Sequence, residues 1–529
     1  MITIPYLNGS KIILNTNHAV VFTGLVYAVF VGGVTFRTEL AANSDGATLL
    51  AAANSLASGY GVLDFDGRPM TYWPPGFPAV VAGLHVLGLN LNSAAWVINV
   101  GSAFVIMASA AFWLFRVLEN HKLAWLGIAS CAVLHPMLDV LAEVRSDPLF
   151  LALCLVSLNC AMLWMMGYRK LFYWGMVFSV LACLTRYHGV ALLATWALFV
   201  VVDGRSRTLS DSVRLMGWVI AAGLPTTAWL IRNLVVSGTL TGPRPLLEDS
   251  AGYLAEMLPR TTNTVTNWFF PESIPIGMRI ALFVLGLVLL SFCLVWIGTR
   301  RTSSPVWKKG VFVMAVFLVI YVAITLFTSI TTAAWGVPRY LAIMAPVLVL
   351  LILAAADGLG PLLPGKAGAS ILILAPAFFL LPVPMARSAH LVSRIQEGKP
   401  GYQYGSWYAE LGPAVRSFSF DGYVLSSAPG FVWTNTRVQE NSIKKTLLTR
   451  WLAKGPDEAR RRILDIAMNA TPLTDPSWKT LYFVDVRQGP EQDWVSLEDM
   501  RRLFTLTPIL KVRDGGIWRL VLPLDEPAE

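Results

Sequence analysis

Charge is scarce in this sequence: Asp, Glu, Lys and Arg together make up only 14% of 529 residues. Soluble domains carry roughly 25%, so a water-surrounded globule is excluded as the whole of the molecule. Cysteine is also rare. All five (Cys131, Cys154, Cys160, Cys183, Cys293) lie inside apolar runs, which excludes a disulfide framework or a cysteine metal site and leaves small buried hydrophobes. No internal repeat marks a solenoid or a duplicated transporter. No glycine fingerprint follows a strand, which argues against a nucleotide-sugar donor. There is no cleavable signal pattern, so the first span is expected to serve as signal anchor.

What is abundant is apolar. Hydrophobic residues make up 55% of the chain, and mean hydropathy is +0.59. Crossing a bilayer takes roughly 20 apolar residues, and runs near that length occur about eleven times. They lie at 19–36, 94–117, 123–139, 146–166, 171–186, 188–202, 213–235, 278–298, 310–330, 339–356 and 369–385. The segment 76–91 follows a Pro-Pro pair, is shorter and interrupted, and reads as a helix at the membrane interface. The net charge of +9 sits in short clusters between the runs: Lys122; Arg169 and Lys170; Arg205, Arg207 and Arg214; Arg300, Arg301, Lys308 and Lys309; Lys366. That is the positive-inside pattern of a membrane protein, not a nucleic-acid surface. It places the N-terminus in the cytoplasm of a multi-pass plasma (inner) membrane protein. The segments 37–75, 236–277 and everything after about 386 then lie outside. The last of these is richer in charge and alternates strand-like runs (YVLSS, TLYFVDV, GIWRLVL) with basic helical sequence. We expect a transmembrane module over 1–385 and a soluble α/β domain over 386–529, extracytoplasmic if the span count is odd.

Five segments carry chemistry. In the first outer loop, NSDGATLLAAANSLASG opens with Asp45, which reads either as a helix cap or as a functional carboxylate. The same loop continues through DGRPMTYWPPGFP, with Arg68. AEVRSDPLFLAL places Glu143, Arg145 and Asp147 at a span edge, where charges are inexpensive and, taken alone, read as a solvated turn with Asp147 at a helix start. LTRYHGVALL interrupts an apolar hairpin with Arg186, Tyr187 and His188, and charge at that depth faces a cavity or a partner. LIRNLVVSGTLTGPRP and WGVPRYLAIMAP put Arg232 and Arg339 at outer span ends, where arginine either snorkels to the headgroups or holds a phosphate. Carboxylates and arginines in one layer suit glycosyl transfer from a lipid phosphate: a base takes the acceptor's proton, and cations steady the departing phosphate.

In order and spacing, these segments resemble GT-C-fold glycosyltransferases of the protein-mannosyltransferase and aminoarabinose-transferase superfamily over roughly residues 20–385. The resemblance rests on NSDGATLLAAANSLASG, DGRPMTYWPPGFP, SDPLFLAL, RNLVVSGTLTGPR and the late PRY. It implies an inverting transfer from a polyprenyl-phosphate sugar to a glycan, lipid or protein acceptor. Asp45 is then the catalytic base and Asp147 the acid of the second outer loop, with Glu143 beside it. Arg339 and Tyr340 lie near the donor phosphate, and Arg68, Arg186, His188 and Arg232 are further substrate contacts. The family often sets a second acid next to the first; Gly46 stands there in this chain. No cofactor is expected, and a tightly bound metal is not favoured. A transporter or a flippase of lipid-linked sugars is the alternative from another class.

Overall fold

The computed structural model describes residues 10–36, 40–203, 208–242, 259, 261–299, 304–331, 338–363, 365–397, 410–443, 445–468, 480–486 and 494–521. Of the inner-loop cations, Arg205, Arg207, Arg300 and Arg301 lie outside these residues. The chain is a bundle of apolar helices followed by a small mixed sheet with helices on it.

Among the described residues, eight helices are long and apolar enough to cross a membrane. They include α1 (Ser10–Thr35), and the rest enter below with their neighbours. The first outer segment contributes α2 (Ser44–Ala57) and α3 (Gly76–Val86). The 11 residues of α3 are too few to cross a bilayer. Then come α4 (Leu91–Val117) and the pair α5 (His121–Ala132) and α6 (His135–Leu141), bent by 48° at the break before Pro136. Together that pair makes a ninth candidate span.

After α7 (Asp147–Met165), the helices α8 (Leu171–Thr185) and α9 (Val190–Asp203) form a tight antiparallel hairpin. Glycines make the approach possible: a Cβ on Gly175 would fall inside the Trp196 ring, and one on Gly189 would strike the backbone of Cys183. The turn between them is a short 3-10 segment, Tyr187–Gly189.

Next are α10 (Leu209–Ser237), closed by left-handed Gly238 (φ 69°), α11 (Ile276–Thr299), α12 (Pro305–Thr331), the short α13 (Pro338–Ala342), α14 (Met344–Leu359), α15 (Gly365–Leu380) and α16 (Pro382–Gln396). The last span continues through the break at Leu381 to Gln396, beyond the boundary at 385 read from hydropathy. The surface of α11 is almost wholly apolar and exposed, with Leu285, Val288, Phe292 and Val295 facing outward. This is the face of a helix that meets lipid.

All eleven apolar runs fall on helices, but α8 and α9 are only 15 and 14 residues long. The two ends of the bundle differ. At one, the Asp357 carboxylate accepts from the backbone N–H groups of Glu119 and Asn120 (3.0 Å each), and Lys309 Nζ donates to the Met165 carbonyl. The other end holds the loops that carry chemistry. There Ala41 and Glu143 form a parallel bridge, and Asn99 on α4 donates to the carbonyls of Leu141 and Glu143, strapping the two loops together.

The C-terminal domain has the sheet order β2-β1-β3-β5-β4, with β1 (Tyr423–Ser426), β2 (Glu440–Asn441), β3 (Leu481–Val486), β4 (Thr505–Val512) and β5 (Gly515–Val521). β1 runs parallel to β2 and β3, whereas β5 is antiparallel to β3 and β4. Five consecutive residues of β3 are buried, as befits a central strand covered on both faces. The domain rests on α2. Its short helix α17 (Phe431–Thr436) puts Trp433, 4% exposed, into one apolar cluster with Ala47 and Leu49. Gly430, at φ +79°, lies so close to Ala47 that a Cβ there would overlap it.

Candidate active site

Helix α2 starts at Asn43, whose side-chain oxygen accepts from the Gly46 N–H at 3.1 Å. Asn43 is therefore the cap, and the capping reading of Asp45 falls away. Asp45 stands in the first turn, half-buried, where the helix N-terminus favours a negative charge. Gly46 has a packing reason: a Cβ there would come within 3.1 Å of both the Cβ and the carbonyl oxygen of Val144. A side chain in place of Gly46 would need the Val144 segment to give by a few tenths of an ångström.

A second carboxylate arrives by another route. The stretch Val62–Met70 folds into a tight hairpin: Asp64 N–H donates to the Arg68 carbonyl at 2.7 Å, and Met70 N–H to the Val62 carbonyl at 3.0 Å. This turn brings Asp64 toward Asp45 and Thr48. Burial first, then neighbouring Asp66, push the Asp64 carboxyl up to about 7, with a smaller push from Asp45. The Phe65 N–H and the Thr48 hydroxyl oppose the rise by bonding the ionised form. Asp66 is also raised, chiefly by burial. Residue order does not link Asp64 to Asp45; the backbone-closed turn at 62–70 does.

Glu143 and Asp147 end in different surroundings. Glu143 accepts from Asn43 Nδ2 at 3.0 Å and from Arg145 Nε at 2.6 Å, so it ties the second loop to the α2 cap. Asp147 is 1% exposed. Its Oδ2 lies 2.6 Å from Nη1 of Arg186, itself 4% exposed, and Arg186 also reaches the Ser146 hydroxyl at 3.3 Å. The Arg186 guanidinium sits 4.9 Å from the centre of the Tyr340 ring. Tyr340 stacks on His188 (centroids 5.4 Å apart, 26°). His188 Nε2 faces Thr328 Oγ1 at 3.4 Å, and the buried Tyr321 hydroxyl donates to the Tyr340 carbonyl. Residues 147, 186, 188 and 340, which belong to three separate segments of the sequence, thus form one cluster. Arg339 belongs to α13, immediately before Tyr340, but its side chain lies outside the described residues.

The remaining two arginines go elsewhere. Arg232 donates to the Met70 carbonyl at 2.7 Å and to Asn233 Oδ1 at 3.0 Å, and it lies over the Trp229 ring at 4.5 Å. Asn233 bonds the Thr71 carbonyl, the Leu240 carbonyl and the Tyr187 hydroxyl. This group fixes the segment Met70-Thr71 and thereby the loop that carries Asp64. Arg68 is largely exposed, 3.8 Å from Asp66, and faces the C-terminal domain across a groove lined by Trp451, Lys454 and Glu458. Neither Arg68 nor Arg232 joins the Arg186 cluster. Among the described residues, no three His, Cys, Asp or Glu side chains converge as metal ligands.

No family model and no curated protein sequence matches the chain. Solved structures do. ArnT from Cupriavidus metallidurans bound to undecaprenyl phosphate superposes with a TM-score of 0.59 at 12% identity, over 95% of this chain and 99% of that one. The apo state of the same protein gives 0.57 at 13% identity, with the same coverage. The chain has the GT-C fold. Nearly full coverage of both chains means that the C-terminal domain is part of the match as well as the helical bundle.

Proposed function

We propose that this GT-C protein is a membrane glycosyltransferase that moves a sugar from a polyprenyl-phosphate donor to an acceptor hydroxyl, with the loop end of the bundle facing the extracytoplasmic side. The observation that carries the reading is Asp45: a carboxylate on the first turn of α2, not used as its cap, which is Asn43, and at the same end of the bundle as the loop that leads into Asp147 and its buried partner Arg186. The structural match to a protein bound to undecaprenyl phosphate supports the donor class.

In this mechanism Asp45 takes the proton of the acceptor hydroxyl as that oxygen attacks the anomeric carbon. The new C–O bond forms on the face opposite the bond to the phosphate, which breaks and releases the lipid phosphate. Arg186, fixed by Asp147 and the Tyr340 ring, and Arg339 on the adjoining helix supply positive charge where the departing phosphate gains negative charge. Asp147 is then a positioning residue acting through Arg186, because its carboxylate is buried in that ion pair. Glu143, Arg232 and Asn233 hold the two loops in place. The isoprenoid tail stays among apolar helices while the sugar meets water at the loop layer.

The test is transfer by purified protein from radiolabelled polyprenyl-phosphate sugars to acceptors in membrane extracts, comparing wild type with Asp45→Asn. Loss of a general base costs roughly 10²–10⁴-fold in rate; a wild-type rate in the Asn variant would remove Asp45 from the mechanism. If no lipid-linked sugar is consumed while a solute crosses vesicle membranes, the transporter class takes its place.

A further inference from the structure

At the end of the bundle away from the loop layer, a cavity of about 470 Å³ opens between the ends of α7, α9 and α11 and the opening turns of α12, with Met165, Val202, Gly298, Lys308, Lys309 and Phe312 among its lining residues. Helix α7 measures its distance from the Arg186 cluster: the 19 residues from Asp147 to Met165 rise about 28 Å. That is close to the hydrocarbon thickness of about 30 Å, so the cavity belongs to the opposite leaflet from Arg186.

Three features define what fits. The first is an apolar body open to lipid. Apart from the two lysines and the Trp307 indole, whose N–H already donates to the Ala354 carbonyl at 3.1 Å, the described lining is apolar. Val295 and Val202 on its walls are 68% and 39% exposed, on the surface that the bundle turns toward the bilayer. The second is charge at one place. Lys308 and Lys309 are neighbours on α12, and no Asp or Glu is among the described lining residues. Lys309 Nζ donates to the Met165 carbonyl, which uses one of the three donors of an ammonium group. The third is space: a Cβ on Gly298 would meet nothing within 4 Å.

An amphiphile with an anionic head and a hydrocarbon tail answers all three. A free phosphate would leave the apolar part of the cavity to water, and a choline head would set a second cation beside the lysines. A donor lipid whose phosphate is held at Arg186 has its head in the other leaflet. Basic pockets between membrane helices hold anionic headgroups in this way. We propose that the cavity binds one anionic phospholipid, with its phosphate on Lys308 and Lys309 and one acyl chain along Val311, Phe312 and Ala315. The site is separate from the transfer machinery, and nothing in it depends on Asp45.

Full-length protein in mild detergent is titrated with phosphatidylglycerol and phosphatidylcholine of matched acyl chains, and bound lipid is counted by native mass spectrometry, with inorganic phosphate as the free-anion arm. The expected result is one phosphatidylglycerol per chain, held at least tenfold more tightly than phosphatidylcholine and not displaced by millimolar phosphate. Replacing both lysines (Lys308→Gln with Lys309→Gln) should erase the preference. Gly298→Leu, which fills the apolar wall and keeps both lysines, should weaken retention at least tenfold, and it serves as the test if loss of the Lys309–Met165 bond prevents folding. Lys122→Gln, at an exposed lysine of the same end of the bundle, should leave retention at the wild-type level. Equal retention of the two lipids by wild type, displacement by phosphate, or a preference that survives the double lysine variant overturns the proposal. Full retention in Gly298→Leu, or an equal loss in Lys122→Gln, also overturns it, because surface charge alone would then hold the lipid.

Discussion

At the scale of single residues, the site is shaped by what its neighbours leave open. Asn43, not Asp45, caps α2; Val144 packs closely over Gly46, and a second carboxylate, Asp64, comes from the 62–70 hairpin. Gly46→Ala should cost about 1–3 kcal/mol, the usual range for overpacking, measured as a lower unfolding temperature. The raised Asp64 carboxyl has a defined pH signature. The folded protein holds a proton on Asp64 up to about pH 7, while an unfolded aspartate loses it near 4. Stability therefore rises as pH falls through the window from about 7 to 4, and the penalty of the ionised form is complete above it. Thermal unfolding of Asp64→Asn should lack this part of the slope; an unchanged slope would mean that another group supplies it. None of this was legible from residue order. A search for paired acids looks along the chain, whereas Asp64 reaches Asp45 only through a turn whose closing bonds are backbone to backbone.

At the scale of elements, the α8–α9 hairpin and the start of α7 build the buried cation. The sequence announced the interruption at Arg186 plainly, because charge inside an apolar hairpin needs a reason, but it did not name the partner. Asp147 read as a solvated helix start, and its burial follows from the tight turn at Gly189 that carries Arg186 onto it. Removing one member of a buried pair strands the other, at a cost of about 3–5 kcal/mol, while replacing both with apolar groups is often neutral. Arg186→Met and Asp147→Leu should each unfold at lower temperature. The double variant should recover stability yet stay inactive in sugar transfer. A double variant with restored transfer would show that the pair is structural only.

For the whole molecule, hydropathy read the membrane bundle well, since a bilayer imposes length and apolarity on every span. The seating of the C-terminal domain was invisible, because Trp433 in sequence is one more buried aromatic. Its contact with Ala47, two residues from Asp45, makes the domain a brace for the α2 start. Gly430→Val, which adds bulk against Ala47 at a left-handed backbone position, should lower transfer severalfold while the helical content of the purified protein stays at the wild-type level by circular dichroism. Full activity in that variant would free the domain of any such role.

The shortness of α8 has a consequence for the lipid around it. Fifteen residues rise only about 22 Å, against a hydrocarbon thickness of roughly 30 Å. Where α8 meets lipid, the bilayer must thin or the polar flanks must be drawn inward. Such a dimple would shorten the climb of a charged headgroup toward the arginine layer. Reconstitution into bilayers of increasing acyl length should therefore slow transfer progressively, so that membrane thickness itself becomes a regulator of the reaction.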